Sequence, residues 1–288
     1  MATHGDLATA STASNTASNN NNNNNNTFAS GDVDLDQQTQ EQQSQIEKEI
    51  ANNQPLISVK ISTSELKNEY LAEDKVYQDK VSELMKKYKY LRRTRGDGNC
   101  FYRAFGFGFL EEKYNNKNDI EKFRQLMLDL KNKLIQLGYL DFTVEDVSDV
   151  VNELIDNVCK GGDEASLMES FSSPAHSDYF VAYLRLFTSA YLQMNAAFFE
   201  NFIDDGKTIK QFCNTEVEPM GRESDNIHIT ALAKAAAVPL RVVYMDRNEH
   251  CLLTTHDFSA TDDENRSTFK PMITMLYRPG HYDLLYEH

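Results

Sequence analysis

Residues 95–105 read Arg-Gly-Asp-Gly-Asn-Cys-Phe-Tyr-Arg-Ala-Phe, a glycine-containing polar loop that runs directly into an apolar segment. The change in composition predicts that a helix begins close to Cys100. At that position, the helix dipole and backbone N–H groups without intrahelical acceptors favour a thiolate and can bind a developing oxyanion. Gly96 and Gly98 allow the loop to turn these N–H groups inward. Because a lone cysteine is more often a buried structural residue, the loop alone leaves both roles open.

A second segment of chemical interest, 280–286, follows a Pro-Gly turn and is predicted to be a strand. Side chains two residues apart in a strand face the same side, so His281 and Asp283 are expected to lie side by side. The carboxylate would hold the imidazole in one tautomer and leave its other nitrogen to act as a base. If folding brings that nitrogen to Cys100, the three residues form an activated cysteine nucleophile. The alternative is an incidental pair at a strand end.

Hydrophobic spacing predicts helices before strands in the remainder of the chain. The predicted helical segments are 77–88, 120–137, 143–158, 178–194 and 196–203. Thr143, Thr208 and Asp225 are predicted N-caps, the last two for short helices. The predicted strands are 240–245, 272–277 and 281–286. This order predicts an α+β domain.

Length and charge limit the classes of function. The chain has 288 residues, with 29 Lys and Arg against 44 Asp and Glu, a formal net charge of −15. Such acidity argues against broad contact with nucleic acid and favours a partner with a basic surface. The sequence contains neither a run of roughly 18 apolar residues nor a secretory signal, so no membrane span is predicted.

The four cysteines predict free thiols. Cys100, Cys159, Cys213 and Cys251 are widely spaced, without a CxxC pair or a histidine at zinc-ligand spacing. Neither a disulfide framework nor a structural zinc site is therefore expected. We expect a cytoplasmic protein, with the nucleus as a second candidate location.

The N-terminal region differs from the rest in composition. Residues 1–33 form an Asn/Ser/Thr-rich tail with eight consecutive asparagines at 19–26, which predicts disorder. Residues 34–55 form an arm in which Ile46 and Ile50 lie four residues apart, as on one face of a short helix. That helix could dock on the domain, fold against a partner or remain solvated linker.

Several segments together resemble one protein family. Residues 97–104 and 277–283 resemble the ovarian-tumour (OTU) superfamily of cysteine deubiquitinases, and specifically its otubain branch, peptidase family C65. Other segments resemble otubains in the same order, and they are 45–51, 177–179, 183–186, 198–203, 216–220 and 244–247. Gly96 stands where the otubain motif has proline, which predicts a more flexible loop.

The resemblance implies a papain-like OTU fold, in which a helical subdomain packs on a small, mostly antiparallel sheet, with residues 56–288 as the catalytic domain. It implies hydrolysis of isopeptide bonds in polyubiquitin, with preference for lysine-48 linkages. Cys100 would be the nucleophile, His281 the general base and then acid, and Asp283 the residue that orients His281. Asp97 lies in the catalytic loop, whose backbone amides would form the oxyanion hole. Neither a metal nor an organic cofactor is needed.

The resemblance also implies binding sites for ubiquitin, the expected partner of a monomeric enzyme. Phe202 matches a segment that holds the distal ubiquitin, although core packing explains an aromatic residue there equally well. Asn226 stands where a related otubain has histidine at a ubiquitin contact. Ile46 and Ile50 lie in the arm, which would contact ubiquitin on the proximal side.

Two other functions remain open at this stage. Otubains also inhibit ubiquitin-charged conjugating enzymes without cleavage, which makes these enzymes further candidate partners. A papain-like peptidase or acyltransferase with another substrate would share the Cys–His–Asp chemistry, but it would not account for the otubain-like segments outside the site.

Overall fold

The computed structural model describes residues 41–42, 44–46, 48–203, 206–248, 253–261 and 269–288. The tail 1–33, the first arm residues 34–40 and Cys251 lie outside the described residues. The chain divides after Gln45, and the second unit runs from Ile46 to the C-terminus. In that unit, residues 48–53 form helix α1, which ends two residues before Pro55, as the arm sequence predicts.

Nine α-helices follow α1 in the described residues. They are α2 (Lys75–Lys87), α3 (Cys100–Lys113), α4 (Lys117–Gln136), α5 (Asp141–Gly161), α6 (Glu164–Ser172), α7 (Pro174–Met194), α8 (Ala196–Phe199), α9 (Ile209–Phe212) and α10 (Asn226–Ala235). Short 3-10 helices lie at Thr63–Glu69 and Glu200–Phe202, and a π-helical turn lies at Cys213–Val217. Within the described residues, none of these helices is long and apolar enough to cross a membrane.

Two of the three predicted N-cap residues are confirmed. Thr208 and Asp225 each form a capping box at the start of α9 and α10. Thr143 is not an N-cap, because α5 begins two residues earlier at Asp141 and the N-cap residue is Leu140. The left-handed Gly138, at φ 96°, already ends the preceding helix, so the chain enters α5 before Thr143. Helix α6 was not predicted.

The six described strands form a mixed sheet in the order β1-β2-β6-β5-β3-β4. They are β1 (Ile61–Ser62), β2 (Tyr90–Arg92), β3 (Leu240–Tyr244), β4 (Thr254–Phe258), β5 (Ile273–Arg278) and β6 (His281–Tyr286). β3 and β5 pair in parallel, whereas every other neighbouring pair is antiparallel. The mostly antiparallel sheet and the α+β class are thus confirmed.

The expectation that strands appear only after the helices is wrong. β1 and β2 precede α3, and β2 pairs with the last strand, β6. Strands of two and three residues are too short to show alternation, so periodicity could not detect them. β4 was missed because most of its side chains are exposed and polar, as suits an edge strand.

Helix α3 is the central element of the core. All its residues from Cys100 to Leu110 are buried. Gly106 faces α7, where a Cβ atom would lie 2.5 Å from the ring of Phe180, and Gly108 faces the sheet, where it would lie 3.2 Å from Leu284. The missing side chains allow α3 to approach both neighbours closely. This packing fixes the N-terminal end of α3 beside β6.

The substitution Gly106→Ala tests the close approach of α3 and α7. The added methyl group collides with the buried Phe180 ring, so we expect destabilisation by about 1–3 kcal/mol. Urea unfolding measures this change. Combination with Phe180→Leu should recover part of the loss because the smaller side chain makes room; an unchanged stability of Gly106→Ala would contradict the packing.

Candidate active site

Cys100 is the first residue of α3 and is 4% exposed. The N-cap residue, Asn99, makes no side-chain cap to the helix; its Oδ1 accepts instead from Gly221 N–H at 2.9 Å and from Arg185 Nη2 at 2.9 Å. The first N–H groups of the helix therefore receive no bond from this side chain and have no intrahelical acceptors. The predicted helix start at Cys100 is confirmed, with the nucleophile candidate at its positive end.

His281 and Asp283 lie side by side on β6, as their spacing predicts. His281 Nε2 and Asp283 Oδ1 are 2.9 Å apart, and Cys100 lies close enough to His281 to influence the pKa of the imidazole. Since Nε2 is used for Asp283, Nδ1 is the ring nitrogen left for proton exchange with the thiol. The structure thus brings together three residues from two segments that are far apart in the sequence.

The surroundings of His281 favour its charged form. Burial opposes the charge, but hydrogen bonds and charge interactions with Asp283 and Cys100 outweigh it and raise the pKa of His281 to about 10. Burial raises the pKa of Asp283. The hydrogen bond and positive charge of His281, the charge of Arg278 and the hydrogen bond from Thr94 N–H outweigh burial and lower the pKa of Asp283 below its usual range. The surroundings therefore support an imidazolium that is hydrogen-bonded to the Asp283 carboxylate and lies beside the Cys100 sulfur.

Asp283 itself is held by residues that the sequence patterns did not single out. It is completely buried, and its Oδ1 accepts a hydrogen bond from Thr94 N–H at 3.0 Å. Its Oδ2 accepts from Arg278 Nη2 at 2.7 Å, while Arg278 Nη1 binds Glu69 Oε2 at 2.6 Å. Each carboxylate oxygen therefore has a defined donor, which fixes the direction in which Asp283 faces His281.

Asp97 organises the loop before Cys100 with its side chain. Its Oδ1 accepts from Asn99 N–H at 2.9 Å, and its Oδ2 pairs with Arg103 Nη2 at 2.6 Å. Arg103 is fully buried and also donates to Ser177 and Asp178 at 2.7 and 2.9 Å. A charged residue inside the apolar α3 sequence was a signal for such a role.

The start of the same loop is tied to α1. Gly96 N–H donates to Gln54 Oε1 at 3.1 Å, and Arg95 donates to the backbone oxygens of Gln54 and Ala51 at 2.9 and 3.3 Å. A proline in place of Gly96 could not make the first of these bonds. Gly96 thus allows a hydrogen bond to the arm that restrains the loop. The expectation of a more flexible loop did not include this bond.

The other predicted site residues lie outside the triad. Phe202 and Asn226 line one groove of about 420 Å³, together with Phe198, Phe199, Asp225, Ile227 and Thr230. Phe202 is 63% exposed, so the core-packing alternative is wrong. Tyr244 O–H donates to Asn226 Oδ1 at 2.9 Å. Ile46 is 45% exposed, and Ile50, in α1, is partly buried.

The remaining thiols have different surroundings. Cys213 is buried, and burial raises its pKa to about 12. Cys159 is partly exposed and unpaired. Among the described residues, no group of three or more His, Cys, Asp or Glu side chains could hold a metal ion.

An α+β domain with a cysteine at a helix N-terminus, facing a His–Asp pair on a neighbouring strand, is a cysteine hydrolase of the papain-like type. The chain belongs to the Peptidase C65 Otubain family, whose model matches residues 49–287. It is 46% identical over 246 residues to "Ubiquitin thioesterase OTUB1" of Homo sapiens, covering 85% of this chain and 88% of that protein.

Similarity extends to a plant protein and to a solved structure. The "OVARIAN TUMOR DOMAIN-containing deubiquitinating enzyme 1" of Arabidopsis thaliana is 37% identical over 261 residues, 85% of each chain. The solved structure of h/ceOTUB1–ubiquitin aldehyde–UBCH5B~Ub superposes with a TM-score of 0.82 and 34% identity, covering 88% of this chain and 99% of that chain. The papain-like OTU fold is thereby confirmed.

The raised pKa of His281 predicts a pH-dependent contribution to stability. Because its pKa rises from 6.5 to about 10 on folding, the contribution is complete below pH 6.5 and is lost as the pH rises through 10. The difference in unfolding free energy between the wild type and His281→Gln should therefore shrink from pH 6 to pH 9.5. Urea titrations measure it, with the exposed terminal His288→Gln as the control; a pH-independent difference for His281→Gln would contradict the assignment.

Proposed function

We propose that the chain is a cysteine deubiquitinase that hydrolyses isopeptide bonds of polyubiquitin, with preference for lysine-48 linkages, and that Cys100 is its nucleophile. The observation that carries the proposal is the placement of Cys100, at the N-terminus of α3, beside His281, which is hydrogen-bonded to Asp283. Membership of a cysteine peptidase family and the ubiquitin thioesterases among its relatives support the substrate class.

The proposed reaction gives each group of the site a role. The Cys100 thiolate attacks the carbonyl carbon at the ubiquitin C-terminus, and the Cys100 N–H stabilises the oxyanion. His281 Nδ1 then protonates the departing lysine amine. In the second half of the reaction, His281 Nδ1 takes a proton from a water molecule as that water attacks the thioester carbonyl. The thioester is hydrolysed, and Cys100 and the imidazolium of His281 are regenerated. Asp283 holds the ring through Nε2 in both steps.

The groove beside Phe202 and Asn226 is the proposed site for the distal ubiquitin. Phe198 and Phe202 are 55% and 63% exposed, which is unusual for aromatic side chains unless they bind a partner. The groove is lined by α8 and the 3-10 helix that follows it on one side, and by the start of α10 on the other. Its aromatic walls suit an apolar surface of a folded partner.

Substitution of the nucleophile tests the enzymatic proposal. Cys100→Ala should lower the rate of cleavage of lysine-48-linked diubiquitin by at least about a thousandfold, because alanine has no thiol with which to form the thioester. Cys159→Ala is the matched control, since this partly exposed thiol has no histidine partner in the described site, and it should retain wild-type activity. Gel assays over a panel of diubiquitin linkages measure both; an active Cys100→Ala variant would remove the assigned nucleophile.

A second proposed activity is inhibition of ubiquitin-charged conjugating enzymes without cleavage. The similar h/ceOTUB1 structure contains ubiquitin aldehyde and UBCH5B~Ub, which favours such partners for this chain. We propose that the helical arm around Ile46 and Ile50 contacts ubiquitin on the proximal side. The 45% exposure of Ile46 leaves an apolar surface for that contact.

Point substitutions test the arm better than a long deletion, because Ala51 and Gln54 restrain the catalytic loop. Cys100→Ala should still suppress ubiquitin-chain synthesis by a charged conjugating enzyme. Addition of Ile46→Asp should relieve this suppression, since a buried carboxylate would disfavour the apolar contact. Leu71→Asp, at a residue 76% exposed in another segment, is the matched control. Equal suppression by all three variants would return the arm to the role of a linker.

A further inference from the structure

Arg185, on α7, is a buried cation that joins the catalytic loop to the segment before α10. Its side chain is completely buried, and its guanidinium stacks over the Tyr102 ring at 4.6 Å. Nη1 donates to Val217 O at 2.9 Å, and Nη2 lies 2.7 Å from Arg222 O. The same Nη2 lies 3.0 Å from Gly98 O and 2.9 Å from Asn99 Oδ1. The contacts thus reach both residues that directly precede Cys100.

The acceptors of Arg185 are unusual for a buried charge. Arg92 and Arg103, which are equally buried, form ion pairs with carboxylates, namely Glu111 and Glu164 for Arg92 and Asp97 and Asp178 for Arg103. Within the described part of the chain, Arg185 forms no ion pair, and its hydrogen-bond acceptors are neutral oxygens. A buried cation without a carboxylate is unfavourable unless another negative charge develops nearby.

The titratable groups that interact with Arg185 lie at or beside the candidate active site. Burial lowers the pKa of Arg185, whereas interactions with Tyr102, Asp97 and Cys100 raise it. The positive field of the guanidinium therefore extends to the Cys100 side chain. This field acts in the same direction as the N-terminus of α3.

Two buried arginines fix the peptide between Gly98 and Asn99 from opposite sides. Its N–H donates to Asp97 Oδ1, which Arg103 holds in turn, and its carbonyl oxygen accepts from Arg185. This peptide directly precedes the one that carries the Cys100 N–H. Rotation of the first peptide would turn the second, because both share the Asn99 Cα atom.

The loop has little room to adopt another conformation. Gly98 has φ +74°, and a Cβ atom there would lie 2.0 Å from Gly221 O. Gly221 N–H donates to Asn99 Oδ1, the same atom that Arg185 binds. Arg185 lies where these two close backbone segments meet, and its donors satisfy the carbonyl groups that the approach buries.

We propose that Arg185 is a positioning residue for the oxyanion hole: through Gly98 O and Asn99 Oδ1 it directs the Cys100 N–H toward the substrate carbonyl oxygen. The inference rests on the proposed cysteine hydrolase function and assigns it a residue that does not touch the substrate. Its effect is therefore expected on the transition state, where the oxyanion develops, and not on the binding of ubiquitin.

Arg185→Lys tests the inference, because lysine keeps the charge but cannot reach several oxygens with a planar fork. We expect kcat for lysine-48-linked diubiquitin to fall about tenfold or more, since loss of a whole oxyanion donor typically lowers it 10²–10³-fold. KM should stay within about twofold of the wild type. Alkylation of Cys100 by iodoacetamide requires no oxyanion, so its rate should also stay within about twofold.

Two further variants separate positioning from folding. Arg92→Lys alters an equally buried arginine outside the site; it should lower the melting temperature and leave kcat within about twofold. Asn99→Ala leaves Arg185 in place but removes one of its acceptors, and it should lower kcat with a near-normal alkylation rate. This variant keeps the test informative if Arg185→Lys does not fold.

The outcomes distinguish the inference from the function on which it rests. A wild-type kcat in Arg185→Lys, or in Asn99→Ala when Arg185→Lys is unfolded, would overturn the inference while the hydrolase function stands. Parallel falls in kcat and in the alkylation rate would also overturn it, because they would show general disruption of the site. Absence of diubiquitin cleavage by the wild type would overturn both.

Discussion

The buried carboxylate of Asp283 is the interaction on which the site depends. It has no exposure to water, and His281, Thr94 N–H and Arg278 supply its hydrogen bonds. A carboxylate so deeply buried would be protonated or would destabilise the fold without these partners. Because Arg278 is paired in turn with Glu69, the charge is balanced over a series that extends to the start of the domain. These contacts fix the orientation of the Asp283 carboxylate, and the carboxylate in turn orients the His281 ring beside Cys100.

The fold places His281, the partner of this carboxylate, beside Cys100, 181 positions earlier in the sequence, by packing α3 directly on β6. Gly108 of α3 lies against Leu284, which neighbours Asp283 on β6. The aromatic contact of Phe101 with Tyr282, with ring centroids 5.5 Å apart, brings the first turn of the helix to the same strand. A rigid helix and a paired strand thus carry the reacting groups, while the loop between Gly96 and Asn99 is restrained by α1, Arg103 and Arg185. Such preorganisation limits the rearrangement needed when substrate arrives.

The sequence predicted those parts of the site whose chemistry is local. The helix start at Cys100 followed from the loop composition, and the His281–Asp283 pair followed from strand spacing. The meeting of the two segments came from the family resemblance, because sequence separation carries no information about contact. Arg185 escaped prediction because its hydrogen-bond partners lie 32 to 87 residues away. Arg278 escaped prediction because its bond to Glu69 spans 209 residues, although each charge stands in an apolar or strand sequence. β2 was missed for a similar reason: its three residues acquire strand structure by pairing with β6.

Covalent labelling by ubiquitin with a C-terminal vinyl ester tests the central claim, that buried Asp283 makes Cys100 reactive toward ubiquitin. The rate is measured for the wild type and for Asp283→Ala at a temperature at which both are folded, and the modified cysteine is located by peptide mass spectrometry. The account predicts a single adduct on Cys100 in the wild type and labelling at least about tenfold slower in Asp283→Ala. An adduct on another cysteine, or equal rates in the two proteins, would contradict it.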